Sequence, residues 1–411
     1  MIGNDNKNPF RDRAGEYVVQ PGGYQAFIPK PLPPEPSIQL DNQMLQLLSL
    51  ADQALGRLDG ASEILPNADL FVAMYVRKEA VLSSQIEGTQ ASLIDVLAFE
   101  SDAAEPENPQ DVEEVVNYVY AMNYGLDRLK TLPLSLRLMK EIHERLLAGV
   151  RGSDRHPGEF RTFQNWIGHQ GCTIETARFV PPPVTEMLNT LYDLERFIHS
   201  AMPLPILLKV GLVHAQFETA HPFLDGNGRM GRLLITFILC QHNVLRQPLL
   251  YLSHFFKLNK SEYYEYLQRV RDEGDWEAWL KFFLQGVYEV AQEATNTARS
   301  ILQLRERHLA IIAHSFSRTA GSAYKLLEHL YKRPIITIHG AAEITGQSYA
   351  NANKLVQRFQ EYGILHEMAR QQRHRRFSYN DYLDLFADEE IPHPMQENRH
   401  PNIPDITQSA L

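Results

Sequence analysis

The chain has 411 residues, a formal net charge of −10 and 44% hydrophobic residues. This composition is that of a folded soluble protein with room for two or three domains. The negative charge excludes a uniformly basic nucleic-acid-binding surface but leaves room for a local basic patch. Two cysteines, Cys172 and Cys240, are too few for a disulfide framework. No signal peptide and no apolar run long enough to span a bilayer is evident, so we expect a cytoplasmic protein that does not bind membranes.

In chain order, the sequence predicts an arm, a set of helices, a flap and more helices. Residues 1–37 are rich in glycine and proline, which predicts an extended arm laid on the domain. Apolar residues then recur at helical spacing up to residue 149, interrupted by an acidic, proline-containing stretch near 100–110. Residues 165–183 carry threonine, isoleucine, phenylalanine and valine between glycines and prolines, which predicts a β-hairpin or long flap. Further helices are predicted at 184–200, 203–219, 228–243, 260–273 and 275–300.

The last hundred residues have a different pattern. A helix, a short strand, two helices and two short strands around the basic tip RQQRHRR (370–376) follow one another, which is the order of a winged helix. We therefore expect a mainly α protein with a β-hairpin flap. The expected divisions are an N-terminal arm with the first helices (1–110), a helical core (111–300), a winged-helix domain (301–390) and a disordered tail (391–411).

The stretch HPFLDGNGRMGR, residues 221–232, has the features of an anion-binding site. A glycine-rich turn that opens a helix directs backbone N–H groups and the positive helix end at one point. Arg229 and Arg232 are three residues apart, so both can face that point, and arginine matches phosphate in bidentate geometry. Asp225 is suited to hold a Mg²⁺ ion that bridges phosphates, and His221 can accept a proton from an incoming hydroxyl.

These twelve residues resemble the Fic-family motif H-P-F-x-[D/E]-G-N-G-R-x-x-R, with every fixed position filled. The segments AFIPKPLPP (26–34), HPGEFRTFQNWIGH (156–169) and residues 250–284 are also similar to Fic proteins. The resemblance implies a protein adenylyltransferase that moves AMP from ATP to a serine, threonine or tyrosine hydroxyl of a target protein. Doc-type kinases of the wider family differ at the second glycine of the motif. This chain keeps Gly228, which favours nucleotidyl transfer over phosphate transfer.

The resemblance also implies roles for individual residues. His221 would be the catalytic base and Asp225 the ligand of Mg²⁺. The residues expected to bind ATP and its phosphates are Asp225, Gly226, Asn227, Gly228, Arg229, Gly231 and Arg232. The flap residues expected to clamp the target and border the nucleotide are Asn165, Trp166, Ile167 and Gly168. Tyr263 and Tyr264 could wall the adenine or be core aromatic residues.

A second motif lies upstream, in SSQIEGTQ, residues 83–90. It looks like the inhibitory motif of the family, [S/T]-x-x-x-E-[G/N], with Ser83, Glu87 and Gly88 in place; alone, it would be an ordinary helix end. A carboxylate brought to Arg232 would form a charge-assisted pair and withdraw the arginine from the γ-phosphate. Inhibition would then be built into the chain.

Several alternatives remain open. Arg373, Arg375 and Arg376 on the predicted wing could contact DNA, or the domain could be a scaffold for homodimerisation or target docking. The protein could then be a DNA-binding regulator with a nucleotide-sensing Fic core. The same site, with Glu87 orienting water, could also remove AMP from a target. A metal hydrolase is disfavoured because His214 and His221 are seven residues apart and no His-Glu-x-x-His is present.

Overall fold

A computed structural model describes residues 10–64, 68–101, 108–169, 171–368 and 375–387 of the protein. Helices predominate in these residues, as the sequence predicts. They are α1 (Asn42–Ile64), α2 (Ala68–Ile86), α3 (Leu93–Glu100), α4 (Pro109–Leu129), α5 (Leu136–Leu146), α6 (Val184–Ile198), α7 (Ile206–Ala220), α8 (Asn227–Gln241), α9 (Ser253–Leu258), α10 (Lys260–Glu273), α11 (Trp276–Ser315), α12 (Ala320–Lys332), α13 (Ile338–Thr345), α14 (Tyr349–Glu361) and α15 (Asn380–Leu383). The strands are β1 (Gly15–Val19), β2 (Gln25–Pro29), β3 (Ile335–Thr337), β4 (His366–Glu367) and β5 (Arg376–Ser378).

Helices α7 and α8 form the centre of the core and are joined by a rigid turn. Nearly every residue of both helices is buried, including polar residues of α7 such as His214 and Glu218. Helix α7 ends where His221 adopts a left-handed conformation (φ 44°), and α8 begins after Gly226, which is also left-handed (φ 74°). The side chain of Asn227 bonds both the N–H and the C=O of Phe223, at 2.8 Å each. The motif at residues 221–232 is therefore held at one fixed place, between two buried helices.

Helix α2 packs between the core and the C-terminal region. It contacts α4, α8 and α9 on one side and α12 on the other. The rings of Phe71 and Tyr331 lie 5.0 Å apart, and those of Tyr75 and Phe386 lie 5.3 Å apart. The C-terminal residues thus help to fix the helix that carries the upstream motif.

The N-terminal arm lies on the helical domain, as expected, but it is more regular than the sequence suggested. Strands β1 and β2 pair antiparallel with Tyr17 opposite Phe27. Before this hairpin, Arg13 donates to the carbonyl of Gly274 at 2.7 Å and forms a partly buried ion pair with Glu277. The arm is held by these long-range contacts, which no local pattern reveals.

Helix α11 extends well beyond its predicted end at residue 300. It runs for 40 residues to Ser315, a length of about 60 Å at roughly 1.5 Å per residue. Ile301, Leu304, His308 and Ile312 continue the buried face at helical spacing. The boundary proposed at residue 301 therefore falls inside a continuous helix, and the division into domains stays a prediction.

The C-terminal elements follow the predicted order of a winged helix. After α12 come β3, α13, α14, β4 and β5, and the three strands form an antiparallel sheet in the order β3-β5-β4. The tip of the predicted wing, with Arg373, and the predicted disordered tail lie outside the described residues. Among the described helices, none combines the length and the apolar character needed to span a bilayer.

Candidate active site

A cavity of about 520 Å³ lies at the turn between α7 and α8. It is bounded by that turn, the end of α2, residues 167–179 and helix α10. Its walls are formed by Glu87, Ile167, Gly168, His169, Arg178, Phe179, Glu218, His221, Gly228, Arg232, Tyr264, Leu267, Gln268 and Arg271. The structure thus brings the upstream motif, the flap and the turn at residues 221–232 into one site.

The predicted anion site is occupied by a carboxylate of the chain itself. An added Cβ on Gly228 would lie 2.3 Å from Oε1 of Glu87, so the carboxylate sits directly over the first turn of α8. The N–H groups of a first helical turn have no partner within the helix, and the helix dipole favours negative charge there. Nη2 of Arg232 donates to the same Oε1 at 2.7 Å. The site attracts an anion, and Glu87 supplies one.

Arg232 is bound by the upstream motif through three hydrogen bonds. Besides the bond to Glu87, Nε donates to Oγ of Ser83 at 2.8 Å, and Nη2 donates to the Ser83 carbonyl at 3.0 Å. Burial tends to raise the pKa of Glu87, but Arg232 outweighs it and holds that pKa below its usual value. Glu87 is therefore a charged partner at neutral pH.

The end of α2 directs Glu87 into the cavity. Helix α2 ends at Ile86, and Gly88 follows with φ 101°, a conformation that favours glycine. The N–H groups of Glu87 and Thr89 return to the carbonyl of Ser84, which closes the last turn. The Glu-Gly pair is thus what ends the helix at the mouth of the anion site.

His221 has both the position and the protonation state of a proton acceptor. Its ring lines the cavity, and Nδ1 is buried without a hydrogen-bond partner among the described residues. Burial, with the positive charges of Arg161 and Arg271, lowers the pKa of His221 to about 3. The imidazole is therefore neutral at pH 7, the form that can accept a proton.

Of the two motif arginines, only Arg232 lines the cavity. Arg229 is fully buried and donates to Glu114 on α4 at 3.1 Å, and Arg151 binds the same carboxylate at 3.2 Å. Asp225 lies 3.8 Å from Arg229 and accepts from the N–H of Gly226 at 2.6 Å. The prediction that both arginines face one concavity is not met in this structure, because Glu114 holds Arg229.

Most other motif residues support the turn, whereas the side chain of Asp225 is 37% exposed. Among the described residues, those predicted as ligands but absent from the cavity wall are Asp225, Gly226, Asn227, Arg229 and Gly231. An added Cβ on Gly231 would lie 2.4 Å from Oε1 of Glu218, so this glycine allows α7 and α8 to pack closely.

His143 supports the turn from α5. Its ring stacks on Phe223 at 3.7 Å, and its Nε2 donates to the carbonyl of Asp225 at 2.9 Å. Nδ1 accepts from the N–H of Gly158 at 2.9 Å, which fixes the tautomer. Burial lowers the pKa of His143 to about 4, so it stays neutral. Sequence reasoning missed this residue, since its partners lie 15 and 82 positions away.

The flap covers one side of the cavity, with less strand than predicted. Its only β-structure among the described residues is a bridge in which the N–H groups of Ile167 and Phe179 donate to each other's carbonyls, at 2.8 and 3.0 Å. Gly168 lines the cavity beside Ile167, whereas Trp166 is 44% exposed and Asn165 bonds the Phe223 carbonyl at 3.0 Å. The prediction of a flap holds, but the predicted hairpin is reduced to one bridge because prolines 181–183 cannot extend the ladder.

Arg161, another residue that the sequence did not reveal, ties the flap to the catalytic turn. Its Nε donates to the carbonyl of His221 at 3.0 Å, and Nη1 donates to that of Phe163 at 3.3 Å. Nη2 donates to the carbonyl of Pro182. Both ends of the flap are therefore joined to the residue predicted to be the base.

The two adjacent tyrosines have different places. Tyr263 is fully buried, and its hydroxyl bonds Nε2 of His214 at 2.8 Å, so of the two alternatives for this residue the structure favours a core aromatic over an adenine wall. Tyr264 lines the cavity. Glu218 and Arg271 also line the cavity but were not predicted, and burial raises the pKa of Glu218 to about 7.

Comparison with known proteins identifies the same family that the motif at residues 221–232 resembles. Residues 45–127 match the family model described as Fic/DOC family N-terminal, and residues 133–239 match that described as Fic/DOC family. The chain thus carries the two regions of the Fic/DOC family over residues 45–127 and 133–239, which include Glu87 and the turn at residues 221–232.

The relatives are distant. The chain is 28% identical over 177 residues to a probable protein adenylyltransferase of Aquifex aeolicus, covering 43% of this chain and 51% of that protein. It is 25% identical over 318 residues to the protein adenylyltransferase Fic of Drosophila persimilis, covering 70% and 57% respectively. The chain thus spans little more than half the length of these curated relatives. A Fic family protein from Desulfovibrio desulfuricans G20 shares the fold, with a TM-score of 0.54 and 18% identity over 83% of this chain and 97% of that one.

Proposed function

We propose that the protein is an autoinhibited protein adenylyltransferase, which transfers AMP from ATP to a serine, threonine or tyrosine hydroxyl of a target protein. The observation that carries the proposal is the carboxylate of Glu87 over Gly228, bonded to Arg232. A helix N-terminus, an arginine and a neutral histidine that meet in one cavity suit a reaction on a phosphate ester. The names of the relatives from Aquifex and Drosophila support the same activity.

In the proposed reaction, the target hydroxyl oxygen attacks the α-phosphorus of ATP. The bond from that phosphorus to the oxygen that bridges to the β-phosphate breaks, and pyrophosphate leaves. His221 takes the hydroxyl proton, which its neutral ring permits. The phosphates of ATP would replace the carboxylate of Glu87 at the first turn of α8 and at Arg232, so ATP in the productive position and Glu87 exclude each other.

The described residues could hold a magnesium ion only if the phosphates of ATP supplied further ligands. Among the described residues, no group of three or more His, Cys, Asp or Glu side chains could hold a metal ion by itself. Asp225 is a 37%-exposed carboxylate at the turn, and Mg²⁺ commonly binds through one or two carboxylates plus substrate phosphates. We therefore assign the ion to Asp225. Bound there, Mg²⁺ would neutralise charge on the leaving pyrophosphate.

The labelled atom of ATP tests the reaction directly. The Glu87→Gly protein is incubated with Mg²⁺ and cell extract, using ATP labelled in the α-phosphate or, in parallel, in the γ-phosphate. AMP transfer labels protein from the α-phosphate only. Label from the γ-phosphate above that of extract without the added protein would mean phosphate transfer and would overturn the proposal, as would equal α-labelling with His221→Ala added to the same background.

The C-terminal region has a separate proposed role. We propose that the C-terminal region is a winged helix, which could contact DNA through Arg373 and Arg376 or could serve homodimerisation or target docking. Arg375 is bound by Glu367 through two hydrogen bonds of 2.7 and 2.9 Å, which leaves it less suited to bind phosphate.

Removal of AMP from a target by the active site is an alternative activity, since Glu87 faces the cavity. A cytoplasmic location is part of the proposal, and Cys172 and Cys240 are both free thiols.

A further inference from the structure

The segment AFIPKPLPP, residues 26–34, is similar to Fic proteins but has no part in the site described so far. Its first residues form β2, the inner strand of the N-terminal hairpin, residues 15–29. We infer that this hairpin is part of the apparatus that positions the target, and that Phe27 is the residue that positions the flap. This inference rests on the proposed function, in which the flap clamps the target.

A continuous set of backbone hydrogen bonds joins the hairpin to the flap. The N–H of Phe27 points away from β1 and donates to the carbonyl of Val180 at 3.0 Å. The preceding flap residue, Phe179, forms the bridge to Ile167, whose side chain lines the cavity. Across this unit the order is β1, β2, residues 179–180 and residue 167. The flap is therefore the far edge of a small sheet-like unit that begins at the N-terminal hairpin.

Side chains reinforce the same path. The ring of Phe27 lies 6.2 Å from that of Phe179, and the guanidinium of Arg271 lies 3.9 Å from the centroid of Phe179. Phe179 is only 2% exposed. It is therefore held between the hairpin and α10, and both contacts fix the backbone of the bridge. Without Phe27, one of the two supports of Phe179 is lost.

The hairpin is itself anchored to the walls of the cavity. The hydroxyl of Tyr17 donates to Asp272 at 2.7 Å and accepts from Gln268 at 3.1 Å, and Gln268 lines the cavity. The ring of Tyr17 lies edge-on to that of Phe27 at 5.1 Å. At the other end, Gln216 on α7 donates to the carbonyl of Lys30 at 2.8 Å. The hairpin thus has a fixed position relative to the helices that carry His221 and Tyr264.

Function requires such support because the flap has little structure of its own. A single bridge leaves most of its backbone without ladder partners, and segments of this kind open easily. A target hydroxyl must be held within about 3–3.5 Å of the reacting phosphorus, so a mobile flap would lower the rate even where ATP is bound correctly. Phe27 is not among the residues that line the cavity, so it acts through the flap.

Amide hydrogen exchange tests the inference without reference to activity. Wild type, Phe27→Ala, Tyr17→Phe and the control Val19→Ala are compared; Val19 is on the same hairpin and 65% exposed. We expect the amides of Ile167 and Phe179 to exchange about tenfold faster in Phe27→Ala and severalfold faster in Tyr17→Phe. Amides of α7 and α8 should be unchanged, and Val19→Ala should match wild type. Tyr17→Phe removes one hydroxyl near the surface, so it keeps the test decisive if Phe27→Ala does not fold.

A kinetic measurement then separates positioning from general damage. In the Glu87→Gly background, with the protein itself as acceptor and α-labelled ATP, Phe27→Ala should lower the rate of transfer roughly tenfold. The KM for ATP should stay the same. Unchanged exchange of the Ile167 and Phe179 amides in both hairpin variants would overturn the inference, and so would a rise in the KM for ATP with an unchanged rate. If Glu87→Gly alone transfers no AMP, the proposed function fails, whereas the exchange result still decides whether the hairpin holds the flap.

Discussion

Glu87 and Arg232 form a 2.7 Å ion pair at the one place in the cavity where a helix N-terminus also attracts negative charge. The carboxylate is therefore favoured twice, by the guanidinium and by the first turn of α8. A phosphate of ATP would be favoured there for the same two reasons. This competition, between a group tethered to α2 and a diffusible anion, is the basis of the predictions that follow.

The first prediction concerns the base. His221→Ala, in the Glu87→Gly background, should abolish AMP transfer and leave ATP binding nearly intact, because a base acts only in the transition state. Transfer is measured with α-labelled ATP and binding by calorimetry. A variant that keeps more than a few per cent of the transfer rate would exclude His221 as the base.

The second prediction concerns pH. Because the pKa of His221 is lowered to about 3, its neutral form persists throughout the range from pH 8 down to about pH 5. Loss of the Glu87 carboxylate removes a group that raises this pKa, so the expectation is the same in Glu87→Gly. The profile of kcat/KM against pH should show no acidic limb near 6.5. A clear fall in kcat/KM centred at that ordinary histidine value would contradict the burial seen here.

The third prediction separates the two tyrosines. Tyr263→Phe leaves Nε2 of the buried His214 without its donor and should destabilise the fold by roughly 1–3 kcal/mol, with an unchanged KM for ATP. Tyr264→Ala should instead raise the KM for ATP, since Tyr264 lines the cavity. Denaturant unfolding and steady-state kinetics on both variants check this. The reverse pattern would mean that the cavity is not the nucleotide site.

The fourth prediction concerns the C-terminal region. Replacing Arg373, Arg375 and Arg376 with alanine should weaken DNA binding and flatten its dependence on salt, if DNA is a partner. Most of the loss should come from Arg373 and Arg376, because Arg375 is bound to Glu367. AMP transfer should not change. Wild-type protein without affinity for DNA at low salt would end the regulator hypothesis.

The sequence predicted those parts of the site that are local in the chain. The turn at residues 221–232 and the helix end at Glu87 and Gly88 each lie within a dozen residues, so the anion site could be inferred from its residue types and the role of Glu87 from the resemblance to Fic proteins. The partners of Arg161 and Arg229 are 60 and 115 positions away, and no short pattern contains them. Tyr263 and Tyr264 differ only by one helical step of about 100°, so packing alone decides which one faces the cavity.

The two errors in the fold have different causes. The buried face of α11 continues to Ile312 at helical spacing, a local pattern that the predicted end at residue 300 leaves out. The flap has less strand than predicted because prolines 181–183 cannot extend the ladder, and the contacts that hold it, from Phe27 and Arg161, come from distant segments.

The Glu87→Gly substitution tests the central claim most directly. A charge-assisted hydrogen bond to Arg232 is worth roughly 1.5–3 kcal/mol, so its loss should raise AMP transfer by about ten- to a hundredfold. Arg232→Ala also breaks the pair but should not raise transfer, because the arginine is needed for the γ-phosphate, and the double variant should resemble Arg232→Ala alone. The measurement is the initial rate of transfer from α-labelled ATP at saturating ATP and Mg²⁺. A rate above wild type is predicted, whereas an unchanged or lower rate would contradict the inhibitory role of Glu87.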